Sequence, residues 1–151
     1  MNALRQLGQV YLEALTEVIA TVTGIHLQAG SCESGNSFED ITGIMYLNSK
    51  KSGMLIVTAN EDDVRVLCSR LTGVPFEEVT EDDLYDTICE IVNMTAGNAK
   101  LRINDADYMY SLLQPFVIKG KDVSIITKAI THIEAGTLTD GNISVSFKAV
   151  Y

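Results

Sequence analysis

The sequence predicts an α+β domain: two α-β-β-β units share one antiparallel six-stranded sheet, with long helices packed on it. Apolar residues recur at helical spacing in two long stretches, one opening the chain and one in its second half. Each stretch is followed by about three β-rich runs. A weak internal repeat lays Glu13 over Asp86, Glu17 over Glu90, Ala20 over Asn93 and Gly24 over Gly97. The expected organisation is one domain over residues 1–151, with repeats at 1–59 and 80–151 joined by a connector helix at 60–73.

In order, residues 2–24 form a helix whose apolar face carries Tyr11, Leu15, Val18, Ile19 and Val22. Gly24 stops it. An extended segment starts at 25–27, and the polar, turn-forming residues 30–40 read as a loop. Residues 41–48 and 53–59 are β-rich and flank a turn, which makes a hairpin. Asn60 then caps a helix that opens on Glu61, Asp62 and Asp63, carries Arg70 near its end and closes at Gly73. Val74, Pro75 and Phe76 lead into the helix at 80–102. There Thr80 is the N-cap, Glu81, Asp82 and Asp83 favour the first turn, and Lys100 and Arg102 favour the last. Leu84, Ile88, Ile91, Val92 and Thr95 make its buried face. Strand-like runs follow at 107–118, 122–134 and 142–151, with a hairpin turn at Asp140-Gly141. The final apolar runs, 124–135 and 143–151, would leave a sheet edge that benefits from cover.

Totals narrow the function. With 151 residues, 46% of them hydrophobic, the chain can bury a sizeable core and is not a disordered segment. A formal charge of −9 disfavours nucleic acid. The first residues lack the apolar run of a secretory signal, and no stretch approaches the roughly 18 apolar residues of a membrane span. Cys32, Cys68 and Cys89 are odd in number and without CxxC spacing, so buried free thiols in a reduced, cytoplasmic setting are expected. Cys68 and Cys89 lack the basic neighbours of a reactive thiol. His26 and His132 have no ligand spacing, and no metal site is expected. Walker-type phosphate loops, GxSxG elbows and calcium loops are absent from the sequence.

What remains is a stripe on the exposed face of the 80–102 helix. Asp86, Glu90, Asn93, Gly97 and Lys100 recur at steps of three and four residues. A carboxylate and a carboxamide thus stand one turn apart on a rigid ridge, and Gly97 leaves room for another surface to approach. Spacing alone also fits the solvated face of any amphipathic helix.

Asp86, Glu90 and Asn93, followed by Pro115 and set in a duplicated fold, resemble the CheC/CheX/FliY family of chemotaxis phosphatases. The resemblance covers essentially the whole chain. It is closest to the CheX branch, because Ala20 leaves the first copy without the amide. The Asn93-to-Pro115 connection is slightly shorter than the family pattern. The resemblance implies a CheC-like fold and a protein phosphatase acting on the phosphoaspartate of a CheY-like response regulator. Glu90 and Asn93 would be catalytic, with Asn93 orienting the attacking water and Glu90 pairing with a lysine of the partner. Asp86, Gly97, Lys100 and Pro115 would contact the partner. The chain would need no cofactor of its own, a divalent cation (magnesium) being held by the partner. A homodimer is implied as well. The alternative is a non-catalytic scaffold that sequesters a response regulator or joins a flagellar switch complex.

Overall fold

The computed structural model describes residues 3–30, 38–125, 128 and 132–151. Its elements are α1 (Ala3–Thr23), β1 (Gln28–Ala29), β2 (Ile41–Leu47), β3 (Gly53–Ala59), α2 (Glu61–Thr72), α3 (Glu81–Lys100), β4 (Phe116–Lys119), β5 (Ile133–Thr139) and β6 (Ser144–Val150). The six strands form one sheet in the order β1-β5-β6-β3-β2-β4, every pairing antiparallel. Exchanging β1 with β4, β2 with β5 and β3 with β6 returns the same order read from the other edge.

Helix ends follow local chemistry. Gly24 and Gly73 take left-handed backbone and donate to Ala20 and Ser69 carbonyls, each at 2.9 Å. The Asn60 side chain accepts from the Asp63 amide at 2.8 Å, and Asp40 accepts from the Glu61 amide at 2.9 Å. On α3 the cap is reciprocal: Asp83 donates its amide to the Thr80 hydroxyl at 3.2 Å, and Thr80 donates its amide to the Asp83 carboxylate at 2.9 Å. The helix carrying the candidate ridge is therefore fixed at its start.

The main core lies between the helices and one face of the sheet. Leu15 and Ile19 of α1, Leu67 of α2, and Ile88, Ile91 and Val92 of α3 pack there with Met45, Leu55, Val57, Phe147 and Ala149. The opposite face buries Ile44, Ile56 and Val150 under Phe38, joined by half-buried Met54, Ile118, Val123 and Ile125. Burial on both faces makes β2 and β3 almost continuously apolar. At Gly43 of β2, an added Cβ would fall 2.7 Å from Val92 Cγ2 and 3.2 Å from the Ile88 carbonyl oxygen. α3 therefore lies directly on the backbone of β2.

The later strands differ from expectation. In the run 107–118 only Phe116–Lys119 joins the sheet as a strand. Ala106–Tyr108 is a short 3-10 turn, and beyond it Ser111 alone bridges Asn48. Tyr108 and Tyr110 alternate inward like strand residues, but the Tyr108 and Met109 amides bond back to Asp105 and Ala106 carbonyls. In the run 122–134, Asp122 has a positive φ of 56°, residues 122–125 form no strand, and 126, 127 and 129–131 lie outside the described residues. β5 instead runs on through Gly136 to Thr139. Gly136 is a strand residue because the Phe147 ring lies across it, 2.6 Å from where a Cβ would be. The expected edge is also not where the sequence put it: β6 is interior, and β1 and β4 are the edges.

Candidate functional site

α3 and the segment leading into β4 face each other across a cleft of about 500 Å³. Asp86, Cys89, Glu90 and Asn93 line the helix side, and Leu112, Leu113, Gln114 and Pro115 line the other. Three of the expected side chains, Asp86, Glu90 and Asn93, are exposed there, and Pro115 is half-buried opposite them. Leu84, Ile88, Ile91, Val92 and Thr95 on the other face of the helix are fully buried, which fixes its rotation. Among the described residues, the Glu90 carboxylate and the Asn93 carboxamide have no hydrogen-bond or ion-pair partner. Both are free to engage a molecule entering the cleft.

Gly97 and Lys100 lie outside the cleft lining. The chain's own Leu112 lies over Gly97: its Cδ1 is 3.9 Å from where a Cβ would sit. A methyl group fits at that distance, so the space at Gly97 is ordinary contact space. Lys100 is half-buried in the last turn of α3.

Cys89 corrects the expectation of buried thiols. Cys68 is buried, Cys89 is half-exposed in the cleft wall, and Cys32 lies outside the described residues. Partial burial, with Asp86 beside it, pushes the Cys89 thiol above its ordinary pKa. The sequence reading also missed Leu112, Leu113 and Gln114. The signal was a pair of adjacent leucines just before Pro115, which breaks strand alternation because both cannot point inward.

A second cleft, of about 440 Å³, lies beside α1, lined by Glu13, Glu17 and Ala20 together with Leu27, Gln28, Ala29 and Leu138. Its acids are engaged. Arg102, just past the end of α3, pairs with Glu13 at 3.3 Å and also with Glu17, while its Nε donates to Asn98 at 2.8 Å. Elsewhere, His132 pairs with Glu134 at 2.8 Å and His26 is exposed. Among the described residues no group of three His, Cys, Asp or Glu could hold a metal ion, and no helix is long and apolar enough to cross a membrane.

A family model described as chemotaxis phosphatase CheX matches residues 41–134. The chain belongs to the CheX family. That match spans β2 to the start of β5 and contains the whole of α3. No curated protein sequence matches significantly. Among solved structures, the fold is similar to CheX from Vibrio vulnificus, at 19% identity and a TM-score of 0.83, covering 99% of each chain. It is also similar to CheX from Desulfovibrio desulfuricans, at 19% identity and a TM-score of 0.80, covering 97% of this chain and 99% of that one. A third similar structure is the CheX-CheY-BeF3-Mg2+ complex from Borrelia burgdorferi, at 15% identity and a TM-score of 0.72, covering 94% and 95%. At these identities the likeness is one of fold.

Proposed function

We propose that this chain hydrolyses the phosphoaspartate of a phosphorylated CheY-like response regulator, with Glu90 and Asn93 entering the partner's active site from α3. Membership of the CheX family supports the class of reaction. The Borrelia relative, solved with CheY and Mg2+, supports the class of partner and a cation on the partner's side. The observation that carries the residue assignment is the pairing state of the two clefts. Glu13 and Glu17 beside Ala20 are held by Arg102, whereas Glu90 and Asn93 are exposed and have no partner among the described residues.

Phosphoryl transfer asks mainly for positioning and charge stabilisation. The water oxygen bonds to phosphorus as the bond from phosphorus to the aspartyl oxygen breaks. The carboxylate leaves, and inorganic phosphate departs with the water's protons shared between it and solvent. A carboxamide suits the water because it offers donor and acceptor without titrating. Asn93 holds the water in line. Glu90, one turn earlier, pairs with a lysine of the partner and sets the depth of insertion. Asp86 and Pro115 flank the entry, and Gly97 and Lys100 complete the contact further along the helix. The two α-β-β-β halves are read as copies of one unit, of which only the second keeps the amide.

The test is phosphate release from CheY-type receiver domains charged with acetyl phosphate. The chain should accelerate release, and Asn93→Ala should lower turnover by about 100-fold, the size of effect seen for single positioned donors. Full activity in folded Asn93→Ala removes the assignment. Binding of the phosphorylated receiver without faster release would favour the scaffold reading.

A further inference from the structure

The cleft has two chemically different walls. The helix wall carries the acids Asp86 and Glu90, and the opposite wall, Leu112 to Pro115, carries no charge. Leu112 is 45% exposed and Leu113 40%. Adjacent exposed large apolar residues are costly to leave in water and mark interaction surfaces.

These side chains are held in place. Upstream, the Tyr110 hydroxyl donates to the Ala96 carbonyl of α3 at 2.7 Å, Ser111 bridges Asn48, and the Tyr108 ring stands edge-on to Tyr151 at 5.2 Å. Downstream, Phe116 pairs with Ile44 and Val117 with Gly43. Between those anchors, Leu112 leans on α3 over Gly97. The loop therefore presents its leucines from a fixed backbone, with little ordering left for binding to complete.

We infer that Leu112 and Leu113 form an apolar docking wall for the same receiver domain that Asn93 enters, seated against an uncharged, apolar rim beside that domain's phosphoryl pocket. This rests on the proposed phosphatase reading. Continuity with the candidate site argues for that occupant: Leu112 and Leu113 line the same cleft as Asn93, so a body that fills the cleft to reach the amide also covers them. Charge argues the same way. A phosphoryl pocket with its cation and lysine faces the acidic wall, and the surface next to it meets only carbon and the Gln114 amide. The acidic wall positions the chemistry, and the apolar wall selects which receiver docks.

The experiment is steady-state phosphate release against receiver concentration, using a CheY-type receiver charged with acetyl phosphate. It is paired with calorimetric binding of the same receiver loaded with BeF3 and Mg2+. Leu112→Ser/Leu113→Ser should raise KM and Kd by roughly 30-fold, the loss expected from two half-exposed leucines that no longer become buried. Its kcat at saturation should stay within about threefold. Leu112→Met/Leu113→Met should restore KM, because methionine keeps the apolar volume. Asn93→Ala should show the opposite pattern, with low kcat and a Kd within about tenfold of wild type. An unchanged KM in the folded serine variant overturns the inference while leaving the phosphatase reading intact. Full activity of Asn93→Ala overturns that reading instead. A second copy of this chain is the other occupant. If the serine variant turns a dimer into a monomer in sedimentation without moving KM, the wall is a self-association surface and the inference falls. Should the double variant not fold, Leu113→Ser alone is read the same way, with a smaller rise in KM expected.

Discussion

Gly43→Ala adds one methyl group on the buried side of β2, at a position that faces the core and not a partner. Its Cβ would meet Val92 Cγ2 at 2.7 Å, Ile88 Cγ1 at 3.2 Å and the Ile88 carbonyl oxygen at 3.2 Å. Carbon atoms in a packed core sit about 3.5–4.0 Å apart. Val92 is fully buried and β-branched, so it cannot rotate out of the way, and Ile88 O belongs to the helix backbone. The relief left is for α3 to lift from the sheet by an appreciable fraction of an ångström. Overpacking of this kind costs about 1–3 kcal/mol, which lowers Tm by roughly 3–10 °C for a chain of this size. Val92 precedes Asn93 in sequence and Ile88 lies between Asp86 and Glu90, so the lift carries the candidate ridge with it. A displacement of about 1 Å at a positioned group can cost on the order of 100-fold in turnover. The assays are thermal melting and phosphate release from an acetyl-phosphate-charged receiver. Gly97→Ala is the control for the melting readout only, since its Cβ meets only Leu112, at 3.9 Å. That variant should be more stable by about 0.5–1 kcal/mol from helix propensity alone. If Gly43→Ala melts within a degree of wild type and turns over normally, α3 is not seated on β2 as described.

Three further outcomes follow from the same geometry. Glu90→Ala should raise KM for the charged receiver and lower kcat, because the carboxylate both binds and sets depth; a change in kcat alone would show that it has no binding role. Cys89 should alkylate more slowly at pH 8 than an ordinary thiol, since its raised pKa leaves less thiolate, and Asp86→Asn should speed the reaction; site-resolved mass spectrometry reads both, and the BeF3-loaded receiver should protect the residue. Ala20→Asn should leave turnover unchanged, because the acids beside it are already held by Arg102, and a doubling of phosphate release would contradict that.

Helices were legible in the sequence because their signals are local. Asn60 and Thr80 cap the neighbouring turn, Gly24 and Gly73 end the turn before them, and the buried face of α3 repeats every three or four residues. The exposed ridge of Asp86, Glu90 and Asn93 follows from the same periodicity. The later strands were poorly legible because a strand is settled by its partner. Gly136 reads as a break until Phe147 is seen lying across it. Tyr108 and Tyr110 alternate like a strand while their segment is held by turns and by a side-chain bond to Ala96. The cleft needed both kinds of information. Its helix wall was readable, whereas Leu112 and Leu113 gain meaning only once the loop is seen folded back over Gly97.

Arg102 joins the two halves of the chain in a way that no local spacing shows. Its ion pairs with Glu13 and Glu17 are partly exposed, so they contribute at most about 1 kcal/mol each to stability. Their consequence is availability. An incoming ammonium group at the α1 cleft must displace a guanidinium already in contact with two carboxylates, and Ala20 offers no amide afterwards. At the α3 cleft Glu90 has no ion-pair partner among the described residues, and the cation on its own helix face, Lys100, lies outside the lining. One arginine and one missing carboxamide are enough to close the first cleft to a cationic visitor and leave the second open.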